Sequence, residues 1–226
     1  MGRLAEAGAN TAAVWRGDAG TAQVSLAERQ AFGLGTHVNY QADVGDEEQV
    51  EALVGFVKQD YPDGLDILVL NAGIGLSGKV TETDPAQWRR MLDVNLGSAF
   101  LLTRSLVPIL RPGGSIVAIG SGSGHDPIPG LAFYGASKAA LNMFIADLAQ
   151  EVGPDGIRAN VVSPGGTDTS FQENAPSPAQ KHDSATHNAL RRQGVPDDVA
   201  GVVLFLCSDL AGFVTGQAVR VNGAAL

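Results

Sequence analysis

The sequence predicts an α/β protein built on a doubly wound parallel sheet, and three observations carry that prediction. Short apolar runs alternate with stretches of ten or more residues whose apolar positions recur at helical spacing. Glycines bound the most buried-looking run, 115–119, as they bound many core strands. Arg16, Asp43, Asn71, Ser121 and Pro164 all fall at the carboxyl ends of the runs, where such a sheet gathers ligands.

Taken in order, residues 3–7 are good helix formers and Gly8 is a plausible stop. Residues 11–15 read as a strand ending in Arg16-Gly17, 23–32 as a weak helix, and 37–42 as a strand ending at Asp43. Asp46 caps the next helix, Glu47 and Glu48 occupy its first turn, and Val50, Leu53, Val54 and Val57 form its apolar stripe. A continuous apolar strand covers 66–70. Asp84-Pro85 opens a helix with cap and N1 proline in their preferred places, and the helical pattern resumes after Asn95 to about 110. After the strand at 115–119, a helix covers 134–152, a strand 158–163, a helix beginning at Asp197 reaches 210, and 218–222 is the last strand.

The 226 residues suffice for one domain, 1–226, and no linker divides them. A hydrophobic content of 44% with 17% charged residues is that of an ordinary globular chain. The formal net charge of -9 argues against nucleic acid or an anionic membrane as partner. Cys207, the single cysteine, lies in an apolar helical run, where it packs as a small hydrophobe and suits a reducing compartment. No apolar stretch approaches a membrane span and the N-terminus has no signal-peptide core, so a cytoplasmic location is expected. His37, His125, His182 and His187 are scattered without ligand spacing, so no metal site is expected.

The chemistry concentrates around one helix. Tyr134 and Lys138 stand at i and i+4 on one face, and Ser121 precedes Tyr134 by thirteen residues on a Gly-Ser-Gly-Ser-Gly loop. An ammonium one turn from a phenol favours the phenolate, so the tyrosine's pKa is expected to move down from roughly 10 toward neutrality. Such a phenol gives and takes a proton near pH 7. Tyrosine and lysine at this spacing often form only a solvated helix face; the serine and the strand-loop-helix context single this pair out.

With these residues the chain resembles the short-chain dehydrogenase/reductase family, and within it the ketoacyl-reductase-like branch, from Arg3 nearly to the C-terminus. The landmarks are Asn71-Ala72-Gly73 after a strand, Asn95 in DVNLGSAF, Ser121, Tyr134 and Lys138. They continue with Ser163-Pro164-Gly165, Thr167 and Thr169, and end with Thr215-Gly216-Gln217. The resemblance implies a Rossmann-like fold in which Tyr134 is the general acid/base. It implies that Lys138 lowers the tyrosine's pKa and contacts a ribose, that Ser121 orients the substrate oxygen, and that Asn95 holds a relay water. It further implies Asp43 on adenine, Asn71, Ala72 and Gly73 on the ribose side, and Pro164, Gly165, Thr167 and Thr169 at the nicotinamide. Arg16 after the second family strand suggests a cation for a 2′-phosphate, hence NADP(H) rather than NAD. The polar segment 170–193 becomes a lid over a small-molecule substrate, and helices 95–110 and 134–152 pair subunits into a homodimer or homotetramer. His125 is expected to be an exposed loop histidine.

The departure is at the front. The family opens with a strand and a T-G-x-x-x-G-x-G turn, and these residues contain neither; the sequence is read as N-terminally shortened, missing the first family strand. Gly73 to Gly78 match G-x-G-x-x-G, but 79–83 intervene before the next helix, so no helix N-terminus meets the turn. Losing two or three charge-assisted hydrogen bonds to a pyrophosphate, at ~1.5–3 kcal/mol each, removes roughly 3–9 kcal/mol of binding. Two enzymatic readings follow. One is an NADP(H)-dependent oxidoreductase acting on a carbonyl or secondary alcohol. The other is a cofactor-independent lyase, dehydratase, isomerase or cyclase that uses Ser121, Tyr134 and Lys138 with no cofactor. A non-catalytic binding module is the third, disfavoured because all four tetrad members are present. Structurally, either the strand at 11–15 moves beside the strand at 66–70, or another chain fills a gap there.

Overall fold

Thr11 and His37 begin two parallel strands and face each other across them, with Thr11 Oγ1 2.9 Å from His37 Nδ1. The computed structural model describes residues 1–169 and 187–225, which form two compact units, Met1–Gly64 and Leu65–Leu226. In the first unit α1 (Gly2–Glu6) precedes β1 (Thr11–Trp15), α2 (Ala19–Gln30), β2 (His37–Gln41) and α3 (Glu47–Asp60). The buried Arg29 of α2 locks this pair: it donates to Thr11 Oγ1 at 3.0 Å, to the Ser25 carbonyl at 3.2 Å and to the Asn39 side chain. Helix α2 starts at Ala19, earlier than the apolar pattern suggests, because Asp18 accepts from the Thr21 amide at 2.7 Å and caps it. Helix α3 follows expectation, capped by Asp46 and burying Val50, Leu53, Val54 and Val57.

The second unit holds four parallel strands in the order β3-β4-β5-β6, namely Leu65–Leu70, Leu110–Ile119, Arg158–Pro164 and Ala218–Val221. The pairs Leu70 with Ala118, Ile119 with Val162 and Pro164 with Val221 align the carboxyl ends, so the loops that follow leave from one edge. Strand β4 begins before the predicted 115: Leu110 pairs with Leu65 ahead of a register shift. Between β3 and β4 lie α4 (Pro85–Leu92) and α5 (Ser98–Leu106), joined by the π-helical segment Asp93–Gly97. Helix α6 (Ala132–Val152) packs on β5, and α7 (Pro196–Cys207) packs on β4 and β5 around Val117, Val162, Val203, Leu206 and Ala211.

Helix α7 stops at Cys207 rather than 210 because the sheet takes its last carbonyls. Arg158 donates to Leu206 O at 2.7 Å and to Ser208 O at 3.3 Å, and Ser115 Oγ donates to Leu206 O at 3.0 Å. Cys207 lies half-buried beside that core, and burial pushes its thiol up to about 11.

Strand β1 hydrogen-bonds to β2 and β3 to β4, in two separate sheets. Among the described residues no helix is long and apolar enough to cross a membrane.

Candidate active site

At the carboxyl edge of the four-stranded sheet, Ser121, Tyr134, Lys138, Asn95 and Gly73 come together. Ser121 follows β4 and opens a tight turn, Gly122–Gly124, whose backbone returns to it through Gly124 N–H to Ser121 O at 3.0 Å. Its side chain is 2.9 Å from Ser123 Oγ and hydrogen-bonds Tyr134 in the first turn of α6. The close approach of turn and helix needs glycine: a Cβ on Gly135 would lie 2.7 Å from Ser123 O, and one on Gly124 2.9 Å from the Lys138 carbonyl carbon.

Lys138, one turn along, is 3% exposed and donates from Nζ to Ile119 O at 2.8 Å, with Nζ 5.9 Å from the Tyr134 ring centroid. Burial lowers its ammonium pKa to about 8. For Tyr134 the expected downward shift is reversed. Burial of the phenol pushes its pKa up, and the Ser121 hydrogen bond only partly opposes that. The ammonium donates to the Ile119 carbonyl, and desolvation of the phenolate is the largest influence on the phenol. The phenol is therefore protonated at neutral pH.

Asn95 is 1% exposed, in the π-helical segment. Its Oδ1 accepts from Ile74 N at 2.8 Å, and its Nδ2 donates to Ile74 O and to Ser137 Oγ, each at 3.0 Å. Its amide thus ties the loop after β3 to α6. Ser137 Oγ also donates to Tyr134 O at 2.7 Å. That loop carries Asn71 and Ala72, both exposed, and Gly73, where a Cβ would lie 3.3 Å from Lys138 Nζ and 3.5 Å from Asn95 Oδ1. Pro164 ends β5, and the Gly165 amide donates to Val221 O at 3.0 Å. Thr167 is buried and donates to Gly165 O at 3.2 Å, while Thr169 is half-buried. In the first unit Arg16, with 59% of its side chain exposed, donates to Asp43 Oδ2 at 3.0 Å, and Asp43 Oδ1 accepts from Gly45 N at 3.0 Å. Of the lid expected at 170–193, residues 170–186 lie outside the described residues.

Sequence reasoning missed the residues that hold the site rather than form it. Ser137 is fully buried, and its place three residues after Tyr134 was the available signal. The π-helical turn left no signal, since DVNLG reads as ordinary helix. His125, expected to be exposed, is half-buried, with Nε2 3.0 Å from Ser163 Oγ.

The Enoyl-(Acyl carrier protein) reductase family model matches residues 2–224. The chain is 35% identical to human dehydrogenase/reductase SDR family member 4 over 225 residues, 98% of this chain and 80% of that protein. The chain belongs to the short-chain dehydrogenase/reductase family. It is accordingly an oxidoreductase with a Rossmann-like α/β fold. It is 34% identical to the 3-oxoacyl-(acyl-carrier-protein) reductase FabG of Thermotoga maritima over 215 residues, 94% of this chain and 87% of that protein. Among solved structures, a Burkholderia cenocepacia short chain dehydrogenase in complex with NADP superposes with a TM-score of 0.91 at 33% identity, covering 98% of this chain and 89% of that one.

Proposed function

We propose that this protein transfers hydride between NADP(H) and the carbon of a small carbonyl compound or secondary alcohol, with Tyr134 as the proton donor and acceptor. The observation that carries the reading is the hydrogen-bonded Ser121–Tyr134 pair on a protonated phenol, with buried Lys138 one helical turn away. NADP(H), when bound, supplies or accepts the hydride. In the reducing direction Tyr134 gives its proton to the carbonyl oxygen as that oxygen gains charge, and Ser121 holds the oxygen by a hydrogen bond. Lys138 presents a cation under the phenol, and Asn95 keeps the loop after β3 in register with α6.

A fit for the cofactor's nicotinamide and ribose side is supported by Gly73, where any side chain would crowd Lys138 Nζ, and by the glycine and threonine run Gly165 to Thr169. Those residues, with Asn71, Ala72 and Pro164, would hold that half; in the first unit, the Arg16 guanidinium beside Asp43 suits an adenosine bearing a 2′-phosphate. Calorimetric titration of the protein with NADPH and NADH tests the reading: NADPH binds more tightly, and Arg16→Ala narrows the difference. No binding of either at millimolar concentration overturns it.

The protein is further proposed to act as a homodimer or homotetramer in the cytoplasm. Phe100 of α5, 50% exposed, and Met143 of α6, 65% exposed, present the apolar surface for such pairing.

A further inference from the structure

Ser121 sits on a glycine-rich loop in which Ser123 is the only other side chain between Gly120 and Gly124. Gly120, Gly122 and Gly124 alternate with Ser121 and Ser123, and glycine loses the most backbone freedom on ordering. Yet a catalytic hydroxyl must keep its place to a fraction of an ångström. The next two side chains after this run each grip the sheet. His125 Nε2 lies 3.0 Å from Ser163 Oγ, which is fully buried near the end of β5, and 3.3 Å from Asn142 Nδ2 on α6. Asp126 takes a two-pronged contact from Arg220 of β6, Nη1 to Oδ2 at 2.8 Å and Nη2 to Oδ1 at 3.3 Å. Ser163 and Arg220 are register partners on adjacent strands, so two consecutive loop residues hold two facing strand residues.

The loop also lies directly on the sheet. A Cβ on Gly120 would be 2.8 Å from Ser163 Oγ and 2.7 Å from Val161 Cγ1, and the Gly120 amide donates to Val162 O at 2.8 Å. Asn142 Nδ2, 3.4 Å from Gly124 O, closes the cluster from the helix side. Either ring tautomer lets Nε2 share a hydrogen bond with the Ser163 hydroxyl, which can donate or accept.

We propose that His125 and Asp126 form a latch, with His125–Ser163 as its buried half and Asp126–Arg220 as its exposed half, that positions Ser121 against Tyr134. This rests on the oxidoreductase reading above. The latch acts on the placement of the substrate oxygen, so it governs kcat and leaves NADPH affinity alone. The exposed ion pair is the weaker half, as solvent-screened pairs are.

The test has two arms. In the first, NADPH consumption with ethyl acetoacetate as probe is measured for His125→Leu, Ser163→Ala, their double variant, His125→Gln and Asp126→Asn. Expected is a loss of about 10–100-fold in kcat for His125→Leu and for Ser163→Ala, with the NADPH Kd within about twofold of the parent. The double variant is no worse than either single one, His125→Gln recovers most of the rate, and Asp126→Asn loses only a few-fold. Parental kcat in folded His125→Leu, or additive losses in the double variant, overturns the latch. The second arm needs no turnover: the ¹³Cζ resonance of Tyr134, assigned with Tyr134→Phe, shifts alike in Ser121→Ala and His125→Leu if the latch seats Ser121. A resonance unmoved in His125→Leu overturns it. Parent protein inert toward NADPH and ketone overturns the oxidoreductase reading, and the resonance then decides the latch by itself.

Discussion

Tyr134 is half-buried and Lys138 buried, and desolvation acts on their two charges in ways that pH can separate. The phenol is held above its ordinary value, so from pH 6 to 8 its ionisation does not limit ketone reduction, which needs the protonated form; a fall in rate toward pH 8 reports loss of the Lys138 charge instead. Alcohol oxidation needs the phenolate and climbs with pH; initial rates in the two directions check this. Tyr134→Phe lowers either rate by about 10²–10⁴-fold while the circular dichroism spectrum is unchanged. Lys138 titrates at about 8 when folded, against an ordinary 10.5 when unfolded. Between those values the unfolded chain binds more protons, so stability rises with pH through that window. Relative to Lys138→Met, the parent gains on the order of 3 kcal/mol from pH 8 to 10.5, read as the difference of urea unfolding free energies.

At the scale of elements, the turn after β4 and the start of α6 are matched backbone to backbone, and two helix glycines separate that contact from mere propensity. Gly201 lies in α7 with nothing within 4 Å of the place a Cβ would take, so Gly201→Ala stabilises by about 0.5–1 kcal/mol. Gly135 lies in α6, where the same change drives a methyl to 2.7 Å from Ser123 O. Gly135→Ala therefore destabilises by about 1–3 kcal/mol and lowers kcat, because the turn that carries Ser121 must move. Thermal melts of the two variants give opposite signs. Asn95→Ala, which removes the partner of the half-buried Ile74 N and O, costs about 1–3 kcal/mol by the same measurement.

At the scale of the molecule, apolar side chains remain on the surface of α5 and α6, and a stable assembly would cover them. Phe100→Glu with Met143→Glu is expected to give monomers by light scattering, since a buried unpaired carboxylate opposes association. NADPH at about a hundredfold over its Kd is expected to stabilise the fold by about 2.7 kcal/mol, seen as a raised melting temperature.

What the sequence determined by itself is what local chemistry and spacing encode. Asp46 and Asp84 announced their helices, the glycine-bounded run at 115–119 announced the central strand, and the spacing of Tyr134, Lys138 and Ser121 announced a cluster that the fold gathers at the carboxyl edge of the sheet. Those signals survive because they act within a few residues of themselves. Contacts across the fold decided the rest. Arg29 commits β1 to β2, Arg158 and Ser115 end α7 early, and Asn95 binds a backbone twenty-one residues away. The direction of the tyrosine's pKa belongs with them: spacing counted an ammonium one turn off, whereas only the folded chain brings Ile119 O to that ammonium and partly desolvates the phenol.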